Sequence, residues 1–169
     1  MTKEIQLNHG KVALVDDEDF EELNKYKWYA HKMRGDLFYA YRRKRRIENQ
    51  EGNRGVISMH KMLISDAKEI DHKNGNSLDN RKENLRGCSH SQNIANSKTR
   101  TMYGSKNKTS FFRGVNWSAQ RKKWRARVCK NYKVFELGFF NDQLDAAKAY
   151  DKKSKELFGD FARLNFSEE

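Results

Sequence analysis

Apolar residues fall in short alternating groups along most of the chain, and the spacing becomes helical in only a few places. Ile5-Gln6-Leu7 and Val12-Ala13-Leu14-Val15 flank Asn8-His9-Gly10-Lys11, which predicts a hairpin with a Gly-containing turn. Asp16-Asp17-Glu18-Asp19 then puts carboxylates at the start of a helix carrying Phe20, Leu23 and Tyr26. Trp28-Tyr29-Ala30 and Leu37-Phe38-Tyr39-Ala40-Tyr41 read as strands joined by the Arg34-Gly35-Asp36 turn, and Val56 to Ile64 as a strand running into a short helix. The C-terminal third predicts three strands, Phe112 to Trp117, Lys123 to Cys129 and Phe135 to Phe140. The second alternates cleanly, with Trp124, Ala126 and Val128 on one face and Lys123, Arg125, Arg127 and Cys129 on the other. A helix follows, capped by Asn141 or Asp142 and ended by Gly159, with Leu144, Ala147, Tyr150, Ser154, Leu157 and Phe158 at helical spacing. Packed on the sheet, it leaves the basic face of the second strand pointing away.

The middle of the chain follows neither period. Ile70 to Asn96 is dense in Asn and Asp, residues that favour turns and side-chain-to-backbone hydrogen bonds. Asn74-Gly75 marks a tight turn, and Ser89 with Gln92 predicts a capping box opening a helix that carries Gln92, Asn93, Ile94 and Asn96. Tyr103 to Thr109 is small and polar. The expected organisation is a first domain over 1–100, a linker over 101–109 and a second domain over 110–169.

Charge narrows the class of partner. The 169 residues carry 35 Lys or Arg against 23 Asp or Glu, a net charge of +12. The excess has an address: the 52 residues from Asn84 to Phe135 contain no acid and 13 Lys or Arg. A one-signed stretch of that length fits a surface that tracks phosphates, where bound cations release condensed counterions. Arg42-Arg43-Lys44-Arg45-Arg46 is weaker evidence, since a short basic run is often an exposed strand end or loop. Two cysteines, Cys88 and Cys129, are too few for a disulfide framework or a four-Cys zinc site and read as small buried or half-buried residues. No apolar run approaches a membrane span of roughly 20 residues. With no apolar signal region at the N-terminus, the expectation is a protein that is not secreted and works in the cytoplasm.

Asp71-His72, Asn84 twelve positions after His72, and Asn93 nine after Asn84 stand in an order that resembles the HNH nuclease motif in its His-Asn-Asn form, as in phage-type homing endonucleases. Lys11 to Asp16 and Met59-His60-Lys61 resemble segments upstream of the motif, so the likeness covers roughly residues 4 to 97. It implies an α+β chain whose first domain is a ββα-metal (His-Me finger) nuclease. By matching position, His72 is the general base, Asp71 and Asn93 hold one Mg²⁺ or Mn²⁺, and Asn84 fixes the loop. The chemistry is coherent: imidazole titrates in the range needed to activate water, and a carboxylate with an amide oxygen makes a hard site suited to those cations. Adjacent strand residues point to opposite faces, so Asp71 and His72 can address one phosphate only where the strand ends or bulges. His60 is more often a satisfied core histidine, or one lying behind the site, than a ligand. His90 is out of register with the motif and reads as a surface residue at a helix start. His9 and His31 offer nothing above background.

The C-terminal segments Phe112-Arg113-Gly114-Val115, Lys123 to Val128, Leu137 to Phe140, Ala146 to Asp151, Gly159 and Leu164-Asn165-Phe166 resemble, in order, the plant ethylene-response-factor (Apetala-two) DNA-binding domain. That likeness implies a three-stranded antiparallel sheet laid in the major groove of double-stranded DNA, with one helix behind it. Arg113 and Arg127 match contact positions, while Asn116, Val134 and Glu136 depart from the plant pattern. Asn116, Trp117, Arg121, Lys123 and Arg125 are further expected contacts. The two resemblances imply a site-specific, metal-dependent DNA endonuclease acting as a monomer or DNA-induced dimer, with no small-molecule cofactor and no membrane. The alternative is a non-catalytic DNA-binding regulator built on a nuclease-like fold.

Overall fold

The N-terminal strands form where alternation predicts them. The computed structural model describes residues 1–33, 35–44, 55–97 and 109–166. Strand β1 (Thr2–Gln6) pairs antiparallel with β2 (Val12–Asp16), and the turn between them holds both His9 and Gly10 at positive φ, 58° and 64°. Two left-handed residues match the twist of a tight hairpin. Helix α1 (Asp17–Asn24) follows with three carboxylates in its first turn. Strands β3 (Tyr29–Lys32), β4 (Phe38–Arg43) and β5 (Val56–Ser58) form an antiparallel sheet in that order, and the chain turns at Ser58 into the short helix α2 (Met59–Leu63). One face of each element closes on a single core of Ile5, Ala13, Val15, Leu23, Trp28, Ala40 and Met59. The Trp28 indole N–H is satisfied by the Leu23 carbonyl at 2.7 Å.

Arg42 departs from the expectation of an exposed basic run. It is 4% exposed, its guanidinium lies 4.1 Å from the Tyr26 ring centroid, and its Nε donates to Met62 Sδ. Alternation along β4 turns this residue inward while Arg43 stays outside. Arg45 and Arg46 lie outside the described residues.

Strands β6 (Glu69–His72) and β7 (Leu85–Cys88) form a two-stranded antiparallel ladder that pairs Asp71 with Arg86 and His72 with Leu85. The loop between them is pinned to the hairpin. Leu14 donates its N–H to the Leu78 carbonyl and accepts from Asn80 N–H, at 2.9 and 2.8 Å, a parallel bridge to β2. The Ser77 hydroxyl donates to the Phe38 carbonyl, and Lys82 N–H reaches Asp16 Oδ2 at 2.7 Å.

The chain divides into two compact units, Met1–Ser89 and His90–Glu169. This boundary falls ahead of the expected linker, residues 101–108 of which lie outside the described residues. The reason is helix α3 (His90–Asn96), which starts directly after Ser89 and buries Ala95 in the core of the second unit with Val128, Tyr150 and Phe158. That unit also contains strands β8 (Val115–Ser118), β9 (Lys123–Lys130) and β10 (Lys133–Phe140), antiparallel in the order β10-β9-β8, and helix α4 (Gln143–Phe158). Asp142 caps α4 by accepting from Leu144 N–H at 2.6 Å, and Gly159 ends it at φ 54°. Strand β8 begins at Val115 rather than Phe112, because Arg113-Gly114 is a corner with Gly114 at φ +74°. Two side chains differ from expectation: Leu144 is 45% exposed in the first turn of α4, and Cys129 is exposed because it shares the outer face of β9 with Arg127.

Candidate active site

His72 ends β6, and the chain turns at once: Gly75 N–H donates to the His72 carbonyl at 2.8 Å, with Gly75 at φ 69°. The strand end anticipated from the Asn-Gly pair is therefore present. Asp71 and His72 are 5% and 6% exposed. The Arg86 guanidinium, across the ladder, donates from Nε and Nη2 to Asp71 Oδ2 at 2.9 and 2.8 Å, a charge-assisted pair that fixes the orientation of the carboxylate.

The His72 ring sits in an aromatic recess. His60 and Tyr39 meet it edge-on, with centroids 5.4 and 5.9 Å away, and 5.5 Å from each other. Burial holds the His72 pKa below its ordinary value, opposed by the Asn80 hydrogen bond and by Asp71 and Asp79. The His60 pKa falls to about 4, again mainly from burial, with His72 as a second cause. Both rings are therefore neutral at neutral pH. Asn80 is 1% exposed and donates its amide N–H to the Leu78 carbonyl at 3.2 Å, which turns its Oδ1 to His72 Nε2 at 3.4 Å. With the proton on Nε2 this contact is a hydrogen bond to Asn80, and the lone pair is then on Nδ1.

Asn84 braces the loop. It is 5% exposed, its Oδ1 accepts from Asn74 N–H at 3.0 Å, and its amide donates to the Asp79 carbonyl at 2.7 Å. Asp79 is itself held by Arg81 Nε and Nη2, each at 2.8 Å, and by Asn74 Nδ2 at 2.8 Å. His60 lies on α2 with its Nε2 3.1 Å from the Ser58 hydroxyl. Asn93 lies half-buried on α3 in the second unit. The sequence reading missed Tyr39, Asn80 and Arg86, because each reaches the site through strand pairing or loop closure and carries no local motif.

The residues expected to touch DNA divide differently. Asn116, Trp117, Arg121, Arg125 and Arg127 line one groove of about 330 Å³ on the outer face of the C-terminal sheet, together with Phe139. Arg121 lies over the Phe139 ring at 4.5 Å, and Trp117 is 40% exposed. Lys123 is exposed on the same strand face but outside the groove. Arg125 is engaged by Glu136, with Nε 2.8 Å from Oε2. Arg113 departs from expectation. Its guanidinium points into the unit, donating to the Tyr150 hydroxyl and to the carbonyls of Ile94 and Ser97.

No described helix is long and apolar enough to cross a membrane. Among the described residues no group of three or more His, Cys, Asp or Glu could hold a metal ion. A site made of the Asp71 carboxylate and an amide oxygen is of another kind, and hard oxygen donors suit a small divalent cation.

Asp71, His72 and Asn84 fall inside the segment that the comparison with known families picks out. The HNH endonuclease family model matches residues 64–95. The chain is 29% identical over 164 residues to a protein of Acanthamoeba polyphaga mimivirus named uncharacterized HNH endonuclease L560, covering 92% of this chain and 75% of that protein. It is 34% identical over 95 residues to Protein 3.8 of Escherichia phage T7, covering 56% of this chain and 74% of that protein. No solved structure matches. The chain carries an HNH endonuclease domain over residues 64–95 and is a DNA endonuclease. The family match does not extend into the C-terminal sheet.

Proposed function

We propose that this endonuclease is a site-specific, homing-type enzyme that hydrolyses phosphodiester bonds of double-stranded DNA. Its nuclease part is a ββα-metal site, with β6, β7 and α3 in that chain order. The observation that carries the reading is His72, buried at the end of β6 beside Asp71, with its Nε2 3.4 Å from Asn80 Oδ1.

In this reading His72 Nδ1 takes a proton from the water that attacks phosphorus. Its Nε2–H stays on Asn80 and fixes the ring. Asp71 and Asn93 would hold one Mg²⁺ or Mn²⁺, and Arg86 fixes the Asp71 carboxylate. The cation, when bound, supplies positive charge where the phosphoryl and leaving oxygens become negative. Asn84 keeps the loop from drifting, and the Tyr39 and His60 rings keep bulk water off one side of His72.

The C-terminal sheet is the DNA reader in this proposal. Support comes from its outer groove with Arg121, Arg127, Asn116 and Trp117, from the helix packed on its other face, and from the ethylene-response-factor-like order of segments. A small nuclease gains site preference from a tethered reader through effective concentration.

Nicking of supercoiled plasmid with Mg²⁺ tests the catalytic part. His72→Ala is expected to lower the nicking rate by about 100-fold or more while leaving duplex affinity unchanged. Nicking by His72→Ala at the wild-type rate removes His72 from its role, and nicking that survives EDTA removes the metal.

A further inference from the structure

Helix α3 carries Asn93, and groups of its own C-terminal unit hold it at several points. At its start, Ser91 Oγ accepts from Asn131 N–H at 3.0 Å and donates to Asn131 Oδ1 at 2.7 Å, in the turn between β9 and β10. In its middle, Ala95 is buried among Val128, Tyr150 and Phe158, and its carbonyl accepts from Arg163 N–H at 3.3 Å. At its end stands Arg113. The guanidinium donates from Nη2 to the Ile94 carbonyl at 2.6 Å, from Nη1 to the Ser97 carbonyl, and from Nε to the Tyr150 hydroxyl at 2.8 Å. Ser97 in turn donates its N–H to the Asn93 carbonyl at 3.1 Å. One arginine therefore grips the last turn, one hydrogen bond away from the Asn93 backbone.

Arg113 is fixed with equal care. Its backbone N–H donates to Asn165 Oδ1 at 2.6 Å, Asn165 Nδ2 returns to the Arg113 carbonyl at 3.2 Å, and Asp151 anchors Asn165 through its N–H and Nδ2, each at 2.9 Å. The following residue, Gly114, sits so close to Tyr150 that an added Cβ would lie 2.0 Å from the ring. A phosphate-tracking side chain is built differently, with its cation free to reach outward, as Arg127 is. A helix turns about 100° per residue, so Asn93 lies about 200° around from the buried Ala95.

We propose that Arg113 is a positioning residue for cleavage, setting α3, and with it Asn93, through the Ile94 and Ser97 carbonyls. The inference rests on Asn93 being a metal ligand.

The test uses the full chain with Arg113→Gln, Asn93→Ala and the double variant. Plasmid nicking is followed against Mg²⁺ concentration, and duplex binding without metal is followed against salt. Arg113→Gln is expected to raise the half-saturating Mg²⁺ and lower the maximal rate, together by about 10-fold, the usual cost of losing a group that orients a ligand. Duplex affinity and its salt slope should stay at wild-type values. The double variant should nick at the rate of Asn93→Ala alone, because Arg113 acts through that residue. A salt slope smaller by about 0.9 with the Mg²⁺ requirement unchanged makes Arg113 a phosphate contact and overturns the proposal. A full additional loss on top of Asn93→Ala overturns it too. An Asn93→Ala variant with wild-type Mg²⁺ dependence instead removes Asn93 as a ligand, a separate failure that also takes away the target of Arg113. Should Arg113→Gln lose its cooperative melt, Tyr150→Phe removes one guanidinium partner and keeps the ring. A smaller Mg²⁺ shift in the same direction is expected, and no shift in that folded variant overturns the proposal.

Discussion

His60 and His72 share one recess with Tyr39, and that neighbourhood forces neutrality on both imidazoles. For His60 the consequence is thermodynamic. Its folded pKa of about 4 lies below the unfolded value near 6.5, so between those limits the unfolded chain binds a proton that the folded chain refuses. Its contribution is complete above pH 6.5 and is lost as pH falls toward 4, up to about 3 kcal/mol at 1.36 kcal/mol per pH step. Urea unfolding of the wild type at pH 7 and pH 4.5 should show that loss, and His60→Gln should show less of it. An equal acid-side loss in the variant assigns the effect to other groups. At this scale the sequence displayed the motif itself, Asp71, His72, Asn84 and Asn93 in order, because spacing is a one-dimensional property. Asn80, Arg86 and Tyr39 were hidden, since nothing local says that the loop and β4 will bring Asn80 and Tyr39 to the His72 ring, or that β7 will bring Arg86 to Asp71.

The loop from Lys73 to Asn84 is an element without regular structure that hydrogen bonds make rigid. Asn84 satisfies a backbone N–H on Asn74 and a backbone carbonyl on Asp79. Removing both partners at once leaves buried polar groups unmatched, so Asn84→Ala should cost about 2 to 4 kcal/mol in chemical unfolding. A loss under about 0.5 kcal/mol would mean that water replaces both bonds. In the second unit, Gly114→Ala places a Cβ 2.0 Å from the Tyr150 ring and 2.7 Å from the Arg127 carbonyl, at a φ that L-residues avoid. A cost of at least about 2 kcal/mol is expected, read as a lower melting temperature, and an unchanged melt would show that the corner yields freely. Most elements were legible from alternation and turn residues, the hairpin, β9 and α4 most of all. The corner at Arg113-Gly114 was read as strand because its neighbours are apolar, and the requirement for glycine there comes from a ring 36 residues downstream, invisible to any local window.

For the whole molecule, charge decides how the second unit meets a polyanion, and the ion pairs sort its cations. Arg127 and Lys123 are exposed on β9, whereas Arg125 is held by Glu136. Arg127→Ala and Lys123→Ala should each reduce the salt slope of duplex binding by up to about 0.9, and Arg125→Ala by less, because its pairing already neutralises it. Equal slopes for all three would show that DNA displaces Glu136. The +12 total pointed to a polyanion from the sequence alone, and only the fold separates cations that face outward from Arg113 and Arg42, which face inward. One bond in the first unit reaches across time as well as space. Lys82 N–H to Asp16 Oδ2 spans 66 positions, and closing a chain segment of that length costs about 4 kcal/mol of entropy. Synthesis runs from the N-terminus, so the β1–β2 hairpin leaves the ribosome well before the loop that docks on Leu14. The loop therefore leaves the ribosome after the strand whose Leu14 N–H and carbonyl it pairs with.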